Sequence, residues 1–186
     1  LQQGLQRALD ATIAKLPIPK VMTYQQADGW SNIKFVRPAH RLTALHGADV
    51  LDVEALGVRA SNQTQGHRFE AKVDVITLDD ADGYASQLAD QGAVIASFEE
   101  RRAEIARQLQ EKADAEGLRV IDDDDLLDEV TALVERPNVL LCRFEEEFLA
   151  VPQECLILTM KLNQKYFPLL EADGKLSNRF LIVSNI

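Results

Sequence analysis

Phe148-Leu-Ala-Val-Pro-Gln-Glu-Cys-Leu-Ile-Leu-Thr-Met-Lys-Leu-Asn-Gln-Lys-Tyr-Phe167 decides how the last third of the chain is read, and the rest of the fold is placed around it. Pro152 suits a first helical turn, where its missing N–H costs nothing, and Glu154 stands where the positive end of the helix dipole favours an acid. Leu156, Ile157 and Met160 recur at helical spacing, so a helix is predicted to start here. Asn163 and Gln164 loosen the pattern, and Tyr166, Phe167 and Leu169 resume it as an extended, partly buried segment. Asp173-Gly174 signals a tight turn, and Arg179-Phe-Leu-Ile-Val183 is the returning strand of a hairpin. Lys161 and Lys165, four apart near the helix end, have two readings: cations that complement the dipole, or cations that reach outward.

Working towards the N-terminus, Val139 to Cys142 reads as a buried strand and Asp124 to Val134 as a helix ended before Pro137. Ser97 to Glu116 is the best helix: Ser97 and Glu100 make a capping box, Phe98, Ile105 and Leu109 share a face, and Gly117 supplies the stop. Asp80 to Gln91 is a shorter one. Between Ile33 and Ile76 the apolar runs are short and interrupted by glycine, which predicts strands at His40 to His46, Val50 to Leu56 and Val73 to Ile76. Leu1, Leu5, Leu9 and Ile13 form a clean stripe ended by Pro17 and Pro19, a helix that must dock on something. The expected class is α+β, a mixed or antiparallel sheet with helices between early and late strands, organised as a helical lead-in over 1–19 and a core over 20–186.

The formal net charge of −10 argues against free-standing affinity for nucleic acid, because phosphate contacts supply most non-specific binding energy. The charge is unevenly spread. Residues 15–72 hold eight basic and five acidic side chains, residues 73–130 five and seventeen, and residues 131–186 six and seven. Ends that fold together would keep a mildly basic face opposite an acidic one. Cys142 and Cys155 lack metal-site spacing and lie in apolar contexts, so they are expected as buried, reduced thiols. No apolar run is long enough to span a bilayer, no membrane association is expected, and a chain running from Leu1 to Ile186 reads as an excised piece.

Little in the sequence carries chemistry by itself. No phosphate-cradling glycine loop, dinucleotide fingerprint or nucleophile elbow occurs, so no catalytic residue is assigned. His40, His46 and His67 are too widely spaced for a zinc site, and no metal ligands are assigned. Asp122 to Asp125 reads as a helix N-cap cluster, and Glu145 to Glu147 as a solvated run. In Gly66-His67-Arg68-Phe69 the glycine allows a tight backbone that offers His67 and Arg68 outward and anchors Phe69 inward, for a phosphate or base-edge contact or merely as a solvated loop.

Five stretches occur in order: Phe35-Val-Arg-Pro38, Gly66-His-Arg-Phe69, Glu129-Val-Thr-Ala-Leu-Val-Glu-Arg-Pro137, Thr159-Met-Lys-Leu-Asn-Gln-Lys-Tyr-Phe167 and Phe180-Leu-Ile-Val-Ser-Asn-Ile186. Together, from Leu16 onward, they closely resemble the beta subunit of the bacterial two-subunit glycyl-tRNA synthetase. The chain departs from that family at Arg136, where a Trp is frequent, near Cys142, where a Gly is, and at Arg41, where an aromatic is. The resemblance implies a core similar to the substrate-binding module of the phenylalanyl-tRNA synthetase beta subunit. It also implies a cytoplasmic alpha2beta2 enzyme that uses ATP and Mg, with the adenylate-forming site on the alpha subunit and no cofactor here. What remains for this chain is contact with the acceptor arm of the tRNA for glycine, with the alpha subunit, or with both. Arg37, His67, Arg68, Lys161 and Lys165, which escape the acidic block and lie in or beside the resembling motifs, are expected to form one RNA-binding face. Two alternatives stand beside this: an editing hydrolase using His67, Arg68 or Thr159 to position water, disfavoured because a glycine site excludes larger amino acids sterically, and a scaffold without RNA contact.

Overall fold

Leu5, Leu9 and Ile13 lie along α1 (Gln2–Lys15) in the computed structural model, which describes residues 1–186. The chain divides into two units, Leu1–Gly66 with Val73–Gly92, and His67–Lys72 with Ala93–Ile186.

The first unit continues through β1 (Met22–Gln25), β2 (Asn32–Phe35), β3 (Leu42–Thr43), β4 (Leu45–His46), β5 (Asp49–Val50), β6 (Glu54–Ala55), β7 (Val58–Ser61), β8 (Gln63–Thr64), β9 (Ile76–Thr77) and α2 (Tyr84–Gly92). Its strands are short and distributed over four small ladders: β1-β2, β3-β7-β6, β4-β5 and β8-β9. The long strands predicted here are corrected. His40 to His46 breaks at Ala44, whose carbonyl accepts from Leu51 N–H, and Val50 to Leu56 is bent where Val53 N–H reaches back to Leu51 O. Val73 to Ile76 is extended only from Ile76. The two halves of each broken run pair with different strands, β3 with β7 but β4 with β5, and β5 with β4 but β6 with β7, so no run builds one continuous face. Val53, Ile76, Leu78 and Leu88 are the unit's buried large apolar side chains. The α1 stripe is only half covered, and the helix buries no residue. It is held by Gln6, whose amide donates to Glu54 O and accepts from Glu54 N, both at 2.8 Å, at the edge of β6.

The second unit holds α3 (Phe98–Ala115), β10 (Arg119–Val120), α4 (Asp124–Leu133), β11 (Asn138–Arg143), α5 (Gln153–Gln164), β12 (Phe167–Leu170) and β13 (Leu176–Ser184). Its sheet is antiparallel in the order β10-β12-β13-β11. Local signals place the helix ends. Ser97 Oγ accepts from Glu100 N–H at 3.2 Å, and Gly117, at φ +66°, closes α3 with Leu118 N–H on Ala113 O and Gly117 N–H on Asp114 O. Ile105, Leu109 and Ala113 of α3 and Leu126 and Val130 of α4 pack on Val139, Phe167, Leu169 and Leu181 of the sheet. Each large side chain so buried contributes about 1.5–3 kcal/mol, which makes this the cohesive half of the chain. The architecture is therefore α+β, with an antiparallel sheet late in the chain as expected.

Two expectations about side chains are overturned. Cys155 is exposed on α5 and Cys142 only half-buried, so the thiols, both free, are not core residues. The helical spacing that buries Met160 turns Cys155, Leu158 and Leu162 to the opposite side of α5. His40 and His46, expected on one strand, are not on one: His40 precedes β3 and His46 ends β4.

Candidate nucleic-acid interface

The five candidate residues divide unequally. Arg37 lies in the first unit, in the bend after β2, and is exposed; the other four belong to the second unit. Arg68 is exposed in the turn that follows Gly66, stacks its guanidinium 5.6 Å from the Phe69 ring centre and pairs with no carboxylate. His67 corrects the expected orientation of that turn: it is 1% exposed, whereas Phe69 is 68% exposed. Its Nδ1 accepts from Phe69 and Glu70 N–H at 3.2 Å each, which leaves Nε2 to carry the proton and donate to the Asn185 carbonyl. Both ring nitrogens are consumed, so His67 has none free for a substrate water, and the editing role suggested for it fails. Thr159, the third editing candidate, is exposed on α5.

Lys161 and Lys165 tie α5 to α4. Lys161 pairs with Asp123, the N-cap of α4, whose carboxylate also accepts from Leu126 N–H at 2.9 Å. The Lys161 ammonium, and then the Leu126 N–H, hold the Asp123 carboxyl below the usual carboxylate range. Lys165 pairs with Glu129 at 2.9 Å and itself closes α5 in the left-handed region, at φ 58°.

Three of the resembling motifs meet at one residue. The Asn185 carbonyl receives His67, and its side-chain oxygen accepts from Glu135 and Arg136 N–H at 2.7 and 3.1 Å. Arg136 in turn pairs with Glu70 at 3.1 Å. Beside this knot a groove of about 440 Å³ is lined by Glu70, Glu104, Gln108 and Arg136 among others. No buried side-chain polar atom is without a partner, and no group of three or more His, Cys, Asp or Glu side chains is arranged to hold a metal ion.

Charge pairing is uneven along the chain. In the second unit Arg102, Arg107, Arg136, Arg143, Arg179, Lys161, Lys165 and Lys175 pair with carboxylates, while Arg68, Lys72, Lys112 and Arg119 are exposed and unpaired, and in the first Arg59 pairs with Asp52. In the first, Lys15, Lys20, Lys34, Arg37 and Arg41 are exposed and none is paired, and Asp28 is the sole acid between residues 15 and 41. These cations flank the β1-β2 hairpin, which pairs Met22 with Phe35 through Gln25 with Asn32. At its tip stands Trp30, 88% exposed. Sequence reasoning missed this hairpin; Asp28-Gly29 between Met22-Thr-Tyr24 and Ile33-Lys-Phe35 was the signal for it.

Comparison with known proteins agrees over the whole length. The family model described as glycyl-tRNA synthetase beta subunit matches residues 1–186. The chain is 70% identical to a glycine--tRNA ligase beta subunit of Acidovorax ebreus, with 100% of the chain and 26% of that protein covered. It is 69% identical to that of Leptothrix cholodnii over the same shares, and 67% identical to that of Dechloromonas aromatica over 100% and 27%. The chain thus spans about a quarter of the length of the curated relatives it matches.

Proposed function

We propose, from the premise that this chain belongs to the glycyl-tRNA synthetase beta subunit family, that it is a non-catalytic part of a glycine–tRNA ligase and supplies contacts to the acceptor arm of the tRNA for glycine. ATP, Mg and the adenylate-forming site belong in this reading to the alpha subunit, within a cytoplasmic alpha2beta2 enzyme. Its α+β core is taken as the counterpart of the substrate-binding module in the beta subunit of the phenylalanine enzyme.

The observation that carries the RNA reading is a run of exposed cations without carboxylate partners in the first unit, Lys15, Lys20, Lys34, Arg37 and Arg41, with Arg68 likewise unpaired in the second. In a chain of net charge −10, the five of the first unit stand in a stretch with one acid among them, which suits them to meet phosphate. Lys161 and Lys165 already have carboxylates to answer them. The test is kinetic. In the full enzyme, Arg37→Ala and Arg68→Ala should raise KM for tRNA with a salt-dependent loss of roughly 1–3 kcal/mol each while glycine-dependent ATP–pyrophosphate exchange is unchanged. Equal loss in both reactions would make these residues structural.

Assembly is the second role, supported by a specific observation: Leu158 and Leu162 are 59% and 61% exposed on the outer side of α5. An apolar pair four residues apart on a helix is suited to a partner's apolar surface. Leu158→Asp with Leu162→Asp should weaken recovery of the assembled enzyme without lowering the thermal stability of this chain, and unchanged assembly would remove the role.

A further inference from the structure

We infer that the tip of the β1-β2 hairpin is a base-stacking element, with Trp30 as a platform for an unpaired base of RNA. The inference rests on the RNA reading above and adds to it a residue, a mode of contact and a requirement for single-stranded structure. The turn that carries Trp30 is rigidly built. Asp28 Oδ1 accepts from Trp30 and Ser31 N–H at 2.9 Å each, its Oδ2 accepts from Ser31 Oγ at 2.5 Å, and Gln26 N–H bonds to Ser31 O at 2.8 Å. Gln25 donates its side-chain amide to Gly29 O, and Gly29 occupies the left-handed region at φ +78° that glycine enters without strain. A turn with its backbone groups so answered fixes where the indole leaves the hairpin.

Nothing in the chain covers that indole. It is the most exposed large apolar side chain in the molecule at 88%, and it packs against no other aromatic ring and no cation. An indole held in water has both faces open to a flat apolar partner, and a base stacked on one contributes about 1–3 kcal/mol by alanine substitution. Charge selects the partner. The one acid nearby, Asp28, is engaged inside the turn, with Ser31 foremost in holding its carboxyl below the usual range. Lys34 faces Thr23 across the ladder, Arg37 follows the second strand, and Lys15 and Lys20 precede the first, all exposed and unpaired. An aromatic platform at the tip of a hairpin whose strands and open end carry unpaired cations fits a base at the tip with its phosphate backbone running along the hairpin. A fully paired duplex hides its base faces, so the partner is an unpaired end or loop.

The chain contains a single tryptophan, so its fluorescence reports on this indole alone. The test titrates the 186-residue chain, and separately measures the full-length subunit assembled with its partner, using tRNA with an unpaired 3′ end and a blunt RNA duplex of equal charge. Stacking predicts quenched emission with the tRNA and little change with the duplex. It also predicts a loss of about ten-fold in tRNA affinity for Trp30→Ala in the assembled enzyme, with Trp30→Phe keeping most of the affinity. The proposal is overturned if tRNA binds the assembled enzyme equally well with Trp30→Ala. In that case loss of binding in Lys34→Ala and Arg37→Ala leaves the RNA reading standing, whereas no effect of any of them on RNA affinity removes that reading for this unit as well. If Trp30→Ala instead prevents recovery of the partner subunit while the remaining protein binds tRNA normally, the hairpin is a protein-docking element and the proposal falls.

Discussion

Replacing Asp123 separates the two tasks that the carboxylate performs at the start of α4. Asp123→Ala deletes the N-cap acceptor for Leu126 N–H, worth about 1 kcal/mol, and leaves Lys161 without its partner. The two side chains are 17% and 25% exposed, less than a typical surface pair, so the ion pair is placed at about 1–2 kcal/mol, above the 0.2–1 of open ones. The sum, about 2–3 kcal/mol, corresponds to a fall in Tm of roughly 8–24 °C for a domain near 100 residues. Asp123→Asn keeps an acceptor for the cap and loses only the charge, so it should cost about half as much. Thermal unfolding by circular dichroism at pH 7 measures both, and a double-mutant cycle with Lys161→Met should return a coupling near 1 kcal/mol. Equal losses for Ala and Asn, or a coupling of zero, would refute this division of labour and return Lys161 to the pool of cations available to RNA.

Acid should destabilise the second unit in a defined window. The Arg107 guanidinium and then the Gln108 amide lower the Glu104 carboxyl from 4.5 to about 2, and a depressed carboxyl favours the folded state above its unfolded value; that stability is present above about pH 4.5 and is lost as pH falls towards 2. Arg107 is 59% exposed, so solvent screening leaves the contribution near 1 kcal/mol, and Glu104→Gln should flatten the dependence of Tm on pH below 4.5. Asp123 acts in the same direction below about pH 4. Gly66→Ala should cost about 3 kcal/mol or more, because the added Cβ would overlap the Gly92 backbone, which cannot rotate aside. Gly117→Ala, at φ +66° with nothing within 4 Å, should cost only the left-handed penalty of about 1–2 kcal/mol, and chemical unfolding of the two variants compares them.

The helices of the second unit were legible because their signals are local. Ser97, Asp123 and Gly117 act within four residues of themselves, and Asp173-Gly174 joins β12 to β13 across a turn of a few residues. The early strands were not. Two-residue strands such as β3 leave no periodicity to detect, and β3 finds its parallel partner β7 about eighteen positions later. The same contrast runs through the site. The motifs located Gly66-His-Arg-Phe69 correctly, yet the turn faces the other way, because His67 is drawn inward by the Asn185 carbonyl 118 positions away. Gly66 is required by its close approach to Gly92 rather than by its own turn, since its φ is not positive. Lys161 and Lys165 could be read as a helix end or as an outward surface, and folding supplies each with a carboxylate, the α4 N-cap Asp123 and Glu129 of α4, that neither reading contained. What the sequence by itself determined was therefore where chains turn and helices stop, since caps and turn residues act on neighbours a few bonds away. Which side chains those turns bury, pair or leave to solvent was decided only by the tertiary structure, because each outcome depends on a partner group that folding brings from a distant part of the chain.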